Sequence, residues 1–158
     1  MNSRNFTNSS NFLFGTTLLD EEVIMNIQDV NLPGISMSHS PLSSQTNLGY
    51  IQGDTLTYSP LNVNVILDEN MEVWTKIVQT MKNMSEDDGT AEEIHSNSWL
   101  IIENNNHEPL IRIDFYNTII ESFGDITFTS TSENEELLMD VNFLYDHYEV
   151  SSLVVTPP

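Results

Sequence analysis

Three stretches of this chain alternate apolar and polar residues with a period of two. Val63, Val65 and Leu67 take alternate positions in one. Ile111, Ile113 and Phe115 alternate with Arg112 and Asp114 in the second. Met139, Val141, Phe143 and Tyr145 alternate with Asp140, Asn142 and Asp146 in the third, which reads as one strand up to about Val150. A period of two sends successive side chains to opposite faces, so each stretch reads as a half-buried strand. Residues 23–32, VIMNIQDVNL, read as a further strand with imperfect alternation: Ile24, Asn26, Gln28 and Val30 fall on one face, Val23, Met25, Ile27 and Asp29 on the other. Trp99–Ile102 reads as a short buried strand joined by a turn at 103–109 to the strand at 111–115. NTIIESF (117–123) and, beyond Gly124, Ile126–Thr129 add shorter pieces. Strands separated by short turns favour antiparallel pairing. One segment instead has helical spacing: Trp74, Ile77, Val78, Met81 and Met84 form a stripe across residues 71–84. Asp68 or Asn70 can cap its first free N–H groups, and Glu69 and Glu72 suit the positive end of its dipole. The expectation is a mainly β (α+β) fold: an antiparallel β-sandwich or strongly curved sheet with one packed helix.

The longest break in this pattern follows Leu32-Pro33-Gly34. Pro33 lacks a backbone donor and is expected to end a strand, and Pro-Gly signals a type II turn with Gly34 in a conformation that a Cβ would penalise. Residues 36–53, SMSHSPLSSQTNLGYIQG, are Ser-rich and weakly patterned. A long loop inside a compact domain is usually functional or disordered, which makes this segment the leading candidate for a contact element. The chain of 158 residues is long enough for one domain with a real core. The expected division is an arm and short apolar segment at 1–21, a domain at 22–150 that includes a loop at 35–53, and a tail at 151–158.

Charge narrows the function. There are 24 acidic against 4 basic residues, a formal net charge of −20, and the cations are Arg4, Lys76, Lys82 and Arg112. Nucleic-acid binders neutralise phosphates with clustered Lys and Arg, which this sequence lacks. An anionic membrane would also repel it, and no apolar run is long enough to span one, so membrane insertion is not expected. The acidity reads either as solubility or salt adaptation, or as a surface that passes close to DNA without holding it. The absence of cysteine excludes disulfides, thiolate metal sites and cysteine nucleophiles. The first residues lack the apolar core of a secretory signal. His39, His95, His107 and His147 fall in no metal-binding frame, and no phosphate loop or nucleophile elbow is present. Asp68-Glu69-Asn70-Met71-Glu72 begins like a calcium loop, but Val73 stands where glycine is required and Gln79 where the closing glutamate belongs. No catalysis, metal or cofactor is expected.

The order of these features resembles the tail-tube-fold virion proteins of contractile-tailed, T4-like bacteriophages, either tube or baseplate hub components. The resemblance rests on Leu32-Pro33-Gly34, Gly53-Asp54, the strand from Leu61 to Leu67, Asp68-Glu69 and the helix containing Trp74. It continues through Phe123-Gly124-Asp125 to the closing strand Val141–Tyr145, and so covers about residues 22–150. It implies a tail-tube-like β-sandwich whose sheets join side by side into a ring, with the loop after Leu32-Pro33-Gly34 reaching toward a neighbour. Leu32, Pro33, Gly34, Ile35, Gly53 and Asp54 are then candidate assembly residues, and Trp74, Ile77, Val78 and Met81 pack the helix. Asp87, Asp88, Glu133, Glu135 and Glu136 are candidate lumen or surface acids. The expected partners are copies of the chain and other tube or hub proteins, with DNA passing and not specifically bound. The expected location is the virion tail, after assembly in the host cytoplasm. A soluble β-sandwich module recognising a receptor or glycan at the virion surface is the alternative.

Overall fold

The computed structural model describes residues 11–19, 23–43, 46–86, 96–131 and 135–153. In chain order its elements are β1 (Phe12–Thr16), β2 (Val23–Met25), β3 (Ile27–Asn31), β4 (Ile35–Ser43), β5 (Leu48–Tyr58), β6 (Leu61–Ile66), α1 (Glu72–Glu86), β7 (Ser98–Glu103), β8 (Pro109–Tyr116), β9 (Ile119–Phe123), β10 (Leu138–Leu144) and β11 (His147–Ser152). They form a five-stranded sheet in the order β11-β8-β7-β1-β2, a four-stranded sheet in the order β3-β6-β10-β9, and a separate hairpin, β4-β5. Every pairing is antiparallel. The mainly β expectation with one packed helix therefore holds.

The apolar half of each alternation faces the other sheet. Phe14, Leu100, Ile113 and Phe115 come from the five-stranded sheet, and Leu61, Val63, Val65, Met139, Val141 and Phe143 from the four-stranded one. The Phe14 and Phe143 rings meet across the two layers with centroids 5.7 Å apart. Helix α1 adds Ile77, fully buried, with Trp74 and Met81 packed beside it. Val78 is half-buried and stands at the margin of this cluster. The helix is capped as expected: Asp68 Oδ1 accepts the Glu72 N–H at 3.1 Å.

Several local expectations are corrected. The single strand expected at 23–32 is two strands in different sheets, and Asn26 is the corner between them, its carbonyl accepting the Ile66 N–H at 2.8 Å. The run from Met139 to Val150 likewise breaks at Tyr145-Asp146, where the chain leaves the four-stranded sheet and enters the five-stranded one. Period-two alternation continues through such a corner, so sequence alone cannot register it. Residues 126–129 form no strand: β9 is an edge of its sheet among the described residues, and Phe128 is largely exposed. Phe12–Thr16, set apart from the domain by the sequence reading, lies inside the five-stranded sheet between β7 and β2. Gly15 is a strand residue, and a Cβ there would collide with the Trp99 ring lying over it.

Candidate functional site

The Ser-rich segment after Leu32-Pro33-Gly34 is a long β-hairpin, not an irregular loop. Ile35 pairs with Tyr58 at its base and Ser43 with Leu48 near its tip. Serine is a poor strand predictor, so the signal was hidden: the apolar residues alternate across two faces, and neither face joins a core. His39, Pro41 and Ser43 share one face with Gln52, Tyr50 and Leu48; Ser40 and Leu42 share the other with Ile51 and Gly49. Every β4 residue is exposed, and the exposure reaches 69% at Leu48 and 66% at Tyr50. Apolar groups thus leave both sides of a ribbon that neither sheet pairs with. Across residues 35–58 the sequence places one carboxylate, Asp54, and no Lys or Arg.

The expected assembly residues occupy different parts of this device. Leu32 and Ile35 are exposed at its root, while Pro33 is buried. Gly34 does not have the left-handed backbone expected of it, and a Cβ there would meet nothing nearer than Ser59 Oγ at 4.0 Å. Its carbonyl instead accepts the Ser59 N–H at 3.0 Å, tying the two stems together. Gly53 is the constrained glycine. It faces a bulge at Ser38, whose Oγ accepts the Thr55 N–H at 3.2 Å, and a Cβ at Gly53 would collide with Ser38. Asp54 is exposed beside it.

Below the hairpin an aromatic group joins its stems to the sandwich. Tyr58 meets Tyr148 edge-to-face at 5.2 Å and Tyr145 at 6.0 Å, and buried Phe115 lies edge-on to Tyr145 at 4.9 Å. Tyr145 Oη donates to the Ser59 carbonyl at 2.6 Å, and Tyr148 Oη donates to the Pro33 carbonyl at 3.1 Å. Burial, with smaller contributions from Tyr148 and Tyr58, pushes the Tyr145 hydroxyl up to about 12. Sequence reasoning missed this group; Tyr145 and Tyr148 read only as the end of one strand.

The solvent face of the four-stranded sheet is the second feature. Asn31, Asn62, Asn142 and Ser122 stand in one cross-strand row, and Asp29, Asn64 and Asp140 in the next. Asn64 Nδ2 donates to Asp29 at 3.3 Å, and Asn142 Nδ2 donates to Ser122 Oγ at 3.3 Å. None of the four strands contains Lys or Arg. This face is anionic and amide-covered. Of the acids expected to line a surface or lumen, Asp87, Asp88 and Glu133 lie outside the described residues. Glu135 and Glu136 are exposed in the segment leading into β10 and are not members of these rows. The polar halves of NVNV (62–65) and DVN (140–142) were the overlooked signal.

Of the four cations, Arg112 bonds Asp114 at 2.8 Å and lies over the Trp99 ring at 5.4 Å. Lys76 and Lys82 lie on α1. A groove of about 410 Å³ between α1 and the segment after β9 is lined by Met71, Trp74, Phe123, Asp125, Ile126 and Phe128. Among these described residues Asp125 is the one ionisable side chain, so they supply no acid–base pair. No group of three or more metal-ligating side chains occurs among the described residues. No described helix is long and apolar enough to cross a membrane.

Known proteins resemble the whole arrangement. No family model matches the sequence. The tail tube terminator protein of Enterobacteria phage T4 is 25% identical over 135 residues, 80% of this chain and 77% of that protein. A chain of the anti-feeding prophage baseplate superposes with a TM-score of 0.75 at 8% identity, covering 96% of this chain and 99% of its own. A chain from the sheath/tube terminator of the PVC extracellular contractile injection system, in its extended state, gives 0.71 at 12% identity, covering 94% and 99%. Hcp1 of Salmonella typhimurium gives 0.56 at 8% identity, covering 91% and 88%. The chain therefore has the fold shared by contractile-injection tube terminators and Hcp.

Proposed function

We propose that this chain is a structural component of a contractile phage tail. Copies join into a ring at the end of the tail tube or in the baseplate hub, where the ring forms or caps the channel. The observation that carries this reading is the hairpin β4–β5. It is two-sided, apolar on both faces, almost uncharged, and paired with neither sheet among the described residues, and such an exposed apolar ribbon suits burial by a neighbouring chain. The likeness to a phage tail tube terminator supports the location in the virion. Open edges support side-by-side growth: β2 and β11 border one sheet, β3 and β9 the other, and a neighbouring copy can complete them. The basic-free rows around Asp29 and Asp140 suit a wall along which DNA passes unbound, since nothing on them neutralises phosphate. The partners are copies of the chain and other tube or hub proteins, and the role is not catalytic.

The test places one charge on each hairpin face, in Leu48→Asp/Ile51→Asp. The parent is expected to form rings by negative-stain microscopy and a large species by sizing. The variant is expected to run as a monomer with an unchanged melting temperature, because neither residue touches the core. A parent that stays monomeric at high concentration, or a variant that still assembles, overturns the reading.

A further inference from the structure

We propose that Tyr145 and Tyr148 form a two-point clamp that sets the angle at which hairpin β4–β5 leaves the sandwich. Covalently, the hairpin is held only by its two stems, and no strand pairing links it to either sheet. A ribbon attached in that way pivots about its root unless something grips both stems. The two hydroxyls do so. One donates to the Pro33 carbonyl on the incoming stem, just before β4, and the other to the Ser59 carbonyl on the outgoing stem, immediately after β5. The Ser59 N–H to Gly34 carbonyl bond closes the bracket between the stems. The ring of Tyr58 packs against both gripping tyrosines, which also meet each other at 6.1 Å, and Phe115 anchors both from the core, at 4.9 Å from Tyr145 and 5.6 Å from Tyr148.

The anchor point adds leverage. Tyr145 and Tyr148 flank the corner where β10 gives way to β11, which is where the chain crosses between the two sheets. The clamp thus refers the hairpin to both layers of the sandwich at once. Two attachment points on opposite stems resist rotation in a way that one cannot. Fixing a contact arm before association lowers the ordering cost at the moment of contact. That consequence rests on the assembly reading above; the clamp itself does not.

The test uses Tyr145→Phe/Tyr148→Phe, which keeps both rings and deletes both hydroxyls. The chain has no cysteine, so spin labels go on a cysteine pair introduced at exposed Leu48, near the hairpin tip, and exposed Gln79 on α1. Distances are read by pulsed electron spin resonance, with labelled chain diluted in unlabelled chain. The parent is expected to give one narrow distribution, and in the double variant the width roughly doubles as the hinge is freed. Far-UV circular dichroism is expected to be the same for both. Each single variant is read in the same way, with an intermediate width expected, so a double variant that fails to fold does not remove the test. Equal widths in parent and folded variants overturn the clamp, whatever the oligomeric state. A parent that forms no rings overturns the assembly reading and leaves the comparison of widths in force.

Discussion

At the residue scale, three glycines that look alike in sequence carry different constraints. Gly15 is held by the Trp99 ring, Gly53 by Ser38, and Gly34 by nothing nearer than 4.0 Å. Gly15→Ala is expected to destabilise the chain by about 1–3 kcal/mol, because the ring is enclosed and must shift. Gly34→Ala is expected to stay within about 0.5 kcal/mol of the parent. Urea unfolding of the two variants side by side checks both values, and a Gly34 variant as damaged as the Gly15 variant would contradict the geometry. Tyr145 supports a second residue-scale prediction. Its hydroxyl is raised to about 12, above the ordinary tyrosine value of 10.0, so the folded chain holds this proton more tightly than the unfolded chain. Its contribution to stability is then complete below the ordinary tyrosine pKa and is lost as pH rises toward about 12. An ultraviolet titration of tyrosinate should show a late step that disappears in Tyr145→Phe. Tyr116, raised chiefly by its hydrogen bond to Glu149, remains in both proteins, so the difference isolates Tyr145.

At the scale of elements, legibility followed burial. The strands around Val63, Ile113 and Val141 were readable because one face of each is enclosed, and a buried face imposes the period on the sequence. Helix α1 was readable for the same reason, through Trp74, Ile77 and Met81, with Asp68 marking its start. The hairpin was not, because both of its faces are exposed and no core disciplines its composition; Ser36, Ser38, Ser40 and Ser43 look like a loop. The corners at Asn26 and Tyr145-Asp146 were invisible for a different reason. A chain that passes from one layer of a sandwich to the other keeps its apolar residues pointing at the same core, so alternation persists while the hydrogen-bonding partners change. The candidate site shares both difficulties: its ribbon is uncored, and the tyrosines at its base sit on a corner. The start of the hairpin was still legible, since the break at Leu32-Pro33-Gly34 marks the place where the sandwich pattern stops.

At the scale of the whole molecule, a formal net charge of −20 opposes any assembly of identical copies. The hairpin lessens the conflict locally, with one carboxylate in residues 35–58, but the bodies behind it still repel. The screening length shrinks from about 30 Å at 0.01 M salt to about 3 Å at 1 M, so repulsion between neighbouring bodies fades across that range while apolar contact persists. Oligomer formation by the purified chain is therefore expected to strengthen with added salt, by roughly tenfold or more, as measured by light scattering or sedimentation. Duplex DNA is expected to show no mobility shift with the chain even at low salt, where any phosphate contact would be strongest. The opposite salt response would be informative. Contacts that weaken with salt would mean that ion pairs join the copies. Only Arg4, Lys76, Lys82 and Arg112 are available to make them, and Arg112 is already engaged by Asp114 within its own chain. An interface supported by so few cations would have to run through α1 or the first residues, and the hairpin, which has no Lys or Arg, would lose its place as the principal contact.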